Sequence, residues 1–237
     1  MEILAPAAPT YIVITSAGNP STWTPLLKSK SRIVLHVVSS AKFAKKAAAA
    51  GCDAVIAEGF EAGGHNGREE TTTLVLIPAV VKAVHLPVIA AGGIATGRQL
   101  FAVLSLGAEG VQMGTRFVAC EEASSHPDFK KMVISAAEGD TQLSLKKLTP
   151  VRLLKNKFYH EVHDAEERGA NPEELSVLLG KGRARKGMFD GDLNEGELEI
   201  GQVSALLDTI LPASTIIENT WNEFQEACAK PFRNSAD

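Results

Sequence analysis

The chain has 237 residues, of which 45% are hydrophobic, and a formal net charge of -4. A chain of this length can bury a sizeable core, and its evenly scattered charges form no broad positive face of the kind that nucleic acid requires. The three cysteines have no CxxC spacing, which argues against a disulfide framework or a zinc site, and no long apolar run predicts a membrane span. We therefore expect a cytoplasmic globular protein that binds neither nucleic acid nor membrane.

The first half of the chain alternates short apolar runs with helical stretches. The runs lack polar alternation, which is typical of strands buried on both faces of a parallel sheet. Predicted helices begin at Ala41 and Thr73, and each ends near a turn signal that leads into the next strand. The pattern predicts an α/β fold with five parallel strands, at residues 11–14, 32–38, 53–57, 87–91 and 110–113.

Three of the predicted strands end in glycine-containing loops. The third strand leads into Gly59–Gly67, which contains His65, the fourth into Ala91–Gly97, and the fifth into Gln112–Phe117. In a barrel of alternating strands and helices, the loops at the carboxyl ends of the strands converge on one face, where phosphate often binds. We therefore expect these loops to lie together on one rim.

The glycines of the last two loops are candidates for binding a phosphate group. Gly92, Gly93 and Gly114 leave main-chain amides open, and further donors come from the Thr115 hydroxyl and from the N-terminus of a helix predicted at residues 98–106. A GlyGly pair after a strand is also common turn chemistry, and Thr115 could equally cap a strand end. The two loops lie one strand–helix unit apart, and this joint placement favours the phosphate site.

Histidine changes protonation near neutral pH, so His65 beside bare main chain is a candidate for catalysis. The alternative is an exposed histidine on a tight strand-to-helix connection. His36 lies within a predicted strand and is more typical of a packed residue than of a base. His160 and His163 have a spacing compatible with metal binding, but no nearby cysteine or acidic partner supports a site there. We predict no metal site.

Beyond Phe117 the alternation stops and the sequence becomes charged and helical. Helices are predicted from His126, Asn171 and Glu218, with Asn171 as an N-cap. The acidic loop at residues 187–199 lacks the turn glycine and the final glutamate of a calcium-binding loop. This part of the chain is predicted to be a helical appendage or lid rather than more sheet.

Four stretches together resemble the nitronate monooxygenases and the flavin-dependent enoyl-acyl-carrier-protein reductases of the same superfamily. The likeness runs from about Tyr11 to the C-terminus, in the family's order. The stretches are Ile14–Pro20, Ala57–Gly67, Ala90–Gly97 and Gly107–Phe117.

The resemblance implies a TIM (β/α)8-type barrel with FMN as its cofactor. It also implies that His65 is the active-site histidine. The positions that hold the FMN phosphate are taken by Gly92, Gly93, Gly114 and Thr115, and those that run beside the flavin by Gly63 and Gly64.

By the same resemblance, the activity is oxidation of small alkyl nitronates with dioxygen to a carbonyl compound and nitrite, and His65 orients or protonates the nitro oxygens. In the reductase alternative, a reduced nicotinamide passes hydride to FMN, which then reduces an enoyl thioester. A third alternative is a non-catalytic fragment that keeps the phosphate site but does not hold a flavin productively. A homo-oligomer is compatible with all three.

Members of this family have about three more strands and helices before the position of Tyr11, whereas here only about ten residues precede it. The resemblance therefore implies an N-terminally incomplete barrel. In this division, residues 1–120 are the C-terminal part of the FMN-binding barrel, residues 121–200 are a helical or loop insertion or lid, and residues 201–237 are C-terminal helices that pack on the barrel.

Overall fold

The computed structural model describes residues 12–230, so Tyr11, the first residue of the first predicted strand, lies outside the described residues. The strands form two sheets, one parallel and one antiparallel. In chain order they are β1 Ile12–Thr15, β2 Ile33–Val38, β3 Ala54–Glu58, β4 Gly64–His65, β5 Val88–Ala91, β6 Gly110–Gln112, β7 Thr141–Ser144 and β8 Val151–Leu154.

Helices connect and cover both sheets. They are α1 Thr24–Ser29, α2 Ala41–Ala49, α3 Thr73–Ala83, α4 Gly97–Ser105, α5 Thr115–Val118, α6 Pro127–Ile134, α7 Lys157–Glu167, α8 Pro172–Leu179, α9 Arg183–Met188 and α10 Ala213–Ala229. Short 3-10 turns lie at Pro20–Thr22 and Gln202–Leu206.

The larger sheet has the order β1-β2-β3-β5-β6, and all of its neighbouring strands are parallel. Its central strand β3 is buried along most of its length, because helices cover one face with apolar side chains such as Ile77 and Val80 of α3. The predicted α/β fold with five parallel strands is confirmed. All five strands end on one side of the sheet, which brings their following loops to one rim.

The smaller sheet has the order β4-β8-β7 and is antiparallel. The prediction of a helical part without further sheet was wrong here, because β7 and β8 are only four residues long and the stretch around them is charged. Their partner β4 is the pair Gly64–His65, which lies far away in the sequence. Local sequence patterns carry no signal for a pairing of this kind.

The part after α5 has its own apolar clusters. One cluster lies under the loop that precedes α10 and includes Phe129 and Ile200, and another lies between β8, α7 and α8 and includes Phe158. Asn171 caps α8, as predicted, and also forms a capping box with Glu174. Helix α10 begins at Ala213, earlier than the predicted start at Glu218.

Helix α10 returns to pack against α4 of the parallel sheet. The rings of Phe101 and Phe224 have their centroids 6.5 Å apart, and a side chain at Gly97 would overlap the α10 backbone. The three-part division of the chain stays a prediction. Within residues 12–230, no helix is both long enough and apolar enough to cross a bilayer.

Candidate active site

A cavity of about 280 Å³ lies where β3, β5 and β6 end. It brings together loops that lie far apart in the sequence, from Glu58 to Val203. The predicted site residues that line it are Gly63, Gly92, Gly93, Gly114 and Thr115. We call this cavity the cradle.

Main-chain amides in the cradle are free to bind an anion. Among residues 12–230, no acceptor is found for the N–H groups of Gly93, Ile94, Gly114 and Thr115. An amide N–H group that is buried on folding without an acceptor costs free energy, unless water or a ligand accepts its hydrogen bond. Four such donors around one small cavity match the needs of a phosphate group.

The glycines of the cradle are required for different physical reasons. Gly92 has a φ of +89°, and a Cβ there would lie 2.7 Å from the carbonyl oxygen of Gly59. Gly93 also has a positive φ, of +70°. A Cβ at Gly114, by contrast, would meet no atom of the described residues within 4 Å. The protein's own packing therefore does not require glycine at Gly114, and the space beside it is open to a ligand.

The N-terminus of α4 does not contribute to the cradle as predicted. The amide of Gly97 donates to Oε2 of Glu223 at 2.8 Å, and the side chain of Gln99 accepts from the amides of Ala95 and Thr96 at 2.9 and 3.1 Å. That prediction was wrong because Glu223 of α10 and Gln99 of α4 itself accept from the amides that a phosphate would need.

The segment 199–203 closes one side of the cradle. The amide of Gly201 donates to the hydroxyl oxygen of Thr115 at 2.9 Å, which leaves the Thr115 proton available for a ligand. The amide of Gln202 donates to the carbonyl oxygen of Glu61 at 2.9 Å. Thr115 therefore has a structural partner as well as a place on the cavity wall.

The same segment explains Gly63 and Gly64. A side chain at Gly63 would overlap the backbone of Ile200. Gly64 has a φ of +75°, and a Cβ there would lie 2.5 Å from Oε2 of Glu199. Gly63 lines the cradle, whereas Gly64 is buried beneath the Glu199 carboxyl group. Both glycines let the chain close over this corner.

A second cavity, a cleft of about 700 Å³, contains His65. The side chain of His65 is exposed and lines this cleft together with Asn66, Thr149 and Lys46. Backbone pairing of His65 with Val151 fixes its position on the edge of the smaller sheet. The structure thus places the histidine beside open space, next to but not inside the cradle.

His36 is packed, as predicted, with 5% of its surface exposed. Its Nδ1 lies 2.7 Å from the hydroxyl oxygen of Thr15, and burial lowers the pKa of the imidazole. The ring is therefore held neutral at the wall of the cleft.

Carboxyl groups near both cavities are the main feature that sequence reasoning missed. Burial raises the pKa of Glu58 to about 7. Burial also raises the pKa of Glu199, while the His65 charge acts in the opposite direction. The position of Glu58 at the carboxyl end of a strand could have identified it. Glu199 has no comparable signal, because only the tertiary structure brings it to Gly64.

Glu61 has a structural role at the same rim. Its carboxylate accepts from the amide of Thr73 at 2.9 Å and from the Thr73 hydroxyl at 2.9 Å. The Thr73 hydroxyl is also 2.9 Å from the carbonyl oxygen of Gly92. Glu61 thereby joins the start of α3 to the loop that forms the cradle.

The remaining histidines lie away from these cavities. His160 and His163 are exposed on α7, and the ring of His163 stacks on Tyr159 with centroids 5.8 Å apart. Within the described part of the chain, no group of three or more His, Cys, Asp or Glu residues is arranged to hold a metal ion.

Comparison with known proteins gives consistent similarities. Residues 1–223 match the nitronate monooxygenase family. A Mycobacterium tuberculosis protein described as a monooxygenase, Rv1533, is 37% identical over 205 residues, which cover 81% of this chain and 53% of that protein.

Solved structures show the same relationship. FabK from Thermotoga maritima is 42% identical and superimposes with a TM-score of 0.88, over 93% of this chain and 70% of that one. The nitroalkane oxidase from Streptomyces ansochromogenes is 30% identical with a TM-score of 0.76, over 94% of this chain and 67% of that one.

The chain spans about half the length of the Mycobacterium tuberculosis relative. The family match nevertheless covers most of this chain and includes both the cradle and the cleft. The chain belongs to the nitronate monooxygenase family, a family of oxidoreductases.

Proposed function

We propose that this protein binds FMN and oxidises small alkyl nitronates with dioxygen to a carbonyl compound and nitrite. The observation that carries the proposal is the adjacency of two cavities on one rim. The cradle has free amides suited to a phosphate, and the larger cleft beside it contains His65. A ligand with a phosphate at one end and a reactive ring at the other matches this arrangement.

The residues of the cradle fit the phosphate end of FMN. Gly93, Gly114 and Thr115 supply main-chain donors, and Gly114 leaves the space that the group needs. No Lys or Arg of residues 12–230 lines the cavity, so the anion would be held by amide dipoles rather than by ion pairs. When bound, the flavin supplies the electron-transfer chemistry.

We assign to His65 the contact with the substrate. Its exposed imidazole faces a cleft with room for both the ring of a cofactor and a small substrate. In this role it donates a hydrogen bond or a proton to the nitro oxygens, whose negative charge an imidazole in its protonated form stabilises. The neutral His36 also lines the cleft.

The reductase alternative has one observation in its favour. The structure of FabK superimposes with the higher TM-score and the higher identity of the two solved relatives described above. In this alternative the ring end of the same cleft receives an enoyl thioester, and His65 polarises the carbonyl group. Both hypotheses use the same cradle, and they differ in the substrate and in whether dioxygen or a reduced nicotinamide reacts with the flavin.

The cradle is tested by filling the space at Gly114. Gly114→Val should abolish or strongly weaken FMN binding, since its side chain enters open space reserved for the ligand. Gly110→Val is the matched control: its Cβ also meets no atom within 4 Å, its φ is not positive, and it lies outside both cavities. Equal FMN affinities of the two variants, measured by flavin fluorescence, would refute the cradle assignment.

The substrate is tested with the flavin-loaded protein. Release of nitrite from an alkyl nitronate under air supports the monooxygenase, and oxidation of NADH that depends on an enoyl thioester supports the reductase. A chain that binds no FMN at any concentration tested would instead support the non-catalytic alternative.

A further inference from the structure

Glu58 occupies a special place between the two cavities. It is the last residue of β3, the central strand of the parallel sheet, and pairs in register with Ala91 at the end of β5. Its side chain lines both the cleft that contains His65 and the cradle, and it is the one described residue that the two cavities share. Any ligand that extends from the cradle to His65 must pass this carboxyl group.

The Glu58 carboxyl group is available to such a ligand. Among residues 12–230 it takes part in no side-chain hydrogen bond and no ion pair, in contrast to Glu61, which the Thr73 amide and hydroxyl occupy. Burial is the cause that raises its pKa to about 7. Near neutral pH a large share of the molecules therefore carries a carboxylic acid there, which can donate a hydrogen bond.

The other ionisable groups around Glu58 come from several elements. On the cleft side are His36 of β2, Lys46 of α2 and His65. On the cradle side are Glu61 and Glu199. None of these side chains hydrogen-bonds Glu58, and burial alone raises its pKa.

We propose that Glu58 is a ligand-contacting residue that, as a carboxylic acid, donates a hydrogen bond to the flavin between its phosphate end in the cradle and its ring end at His65. The inference rests on the proposed function. It adds to that function a residue that contacts the flavin and the proton that this residue donates. Since the bound ligand covers the carboxyl group and removes water from it, binding further favours the protonated form. Ionisation of Glu58 must then weaken binding by the same thermodynamic linkage.

The test is the pH dependence of flavin binding, measured by fluorescence on the full chain. Riboflavin is the principal probe, because it lacks the phosphate group, whose own ionisation near pH 6 would complicate the result with FMN. For a carboxyl group with a pKa of about 7, the dissociation constant for riboflavin should rise about tenfold between about pH 6 and about pH 8.

Three variants make the test specific. Glu58→Gln keeps the shape and a donor at every pH, so its riboflavin affinity should be independent of pH. Glu58→Leu has no donor and should bind more weakly at about pH 6, again without a pH slope. Glu197→Gln is the matched control, since burial also raises the pKa of Glu197 to about 7 but the residue lies on neither cavity. It should retain the wild-type slope.

A Glu58→Gln variant that keeps the tenfold slope would overturn the inference and leave the proposed function intact. The inference would also be overturned, with the proposed function intact, if the wild type bound FMN and its riboflavin affinity did not change with pH. A wild-type protein that binds neither FMN nor riboflavin at about pH 6 would overturn the proposed function itself. Thermal unfolding of each variant shows that a lost affinity is not caused by a lost fold.

Discussion

Arg152 on β8 holds the carbonyl oxygen of Phe60 with two hydrogen bonds, from Nε at 3.2 Å and from Nη2 at 2.8 Å. Its guanidinium group also lies 4.4 Å from the centroid of the Phe60 ring. Arg152 is 2% exposed, so these contacts are shielded from solvent. The residue thereby joins the smaller sheet to the loop that contains His65.

Arg152→Met should destabilise the protein by about 2 to 3 kcal/mol, because it leaves a buried carbonyl oxygen without its charged donors. Urea unfolding measures the change, and amide exchange should become faster within Gly59–Gly67. Arg168→Met is the control: it changes an exposed arginine in the second half of the chain and should change the stability little. Equal stabilities of the two variants would contradict the role assigned to Arg152.

His65→Ala should keep FMN affinity near that of the wild type while turnover falls by about two to four orders of magnitude, the range typical of a lost general acid. The exposed position of His65 predicts little change in stability. Nitrite release and FMN titration measure the two effects. His160→Ala, exposed on α7, is the control. Undiminished turnover of His65→Ala would remove the histidine from the reaction.

Gly63→Ala should lower the stability by about 1 to 3 kcal/mol, since even one methyl group overlaps the backbone of Ile200. Gly110→Ala adds the same group in open space and should be neutral. Thermal unfolding distinguishes the two. An unchanged melting temperature of Gly63→Ala would show that the segment 199–203 does not close tightly over this corner.

The buried Glu197 predicts a pH dependence of stability. Burial, and then the nearby Glu199, raise its pKa from 4.5 to about 7, so the folded state binds a proton more tightly than the unfolded state. Its contribution is complete below about pH 4.5 and is lost as the pH rises through about 7, on the order of 3 kcal/mol in total. Burial also raises the pKa of Glu58, so this residue likewise makes the protein less stable as the pH rises.

Glu197→Gln should therefore match the wild type at about pH 4 and be more stable at about pH 8. Urea unfolding at several pH values gives the slope. Glu109→Gln, at an exposed position, should retain the wild-type slope. If Glu197→Gln retained it as well, the Glu197 carboxyl group would have the same pKa in the folded and unfolded states.

The sequence predicted the parallel sheet well, because buried strands such as β3 are short, apolar and bounded by glycine or proline signals. It also predicted which loops meet, since parallel strands bring their following loops to one rim. The antiparallel pairing of His65 with Val151 was not predictable in this way. It joins distant segments whose local sequences do not indicate strands.

The sequence by itself determined the α/β fold class, the family and the loops from which the site is built, because strand periodicity and glycine placement are local properties of the chain. Only the tertiary structure decided which donors remain free. Glu223 occupies the amide of Gly97, and Glu58 lies where both cavities meet. Each depends on contacts between residues far apart in sequence, since burial and hydrogen-bond occupancy arise when separate segments pack together.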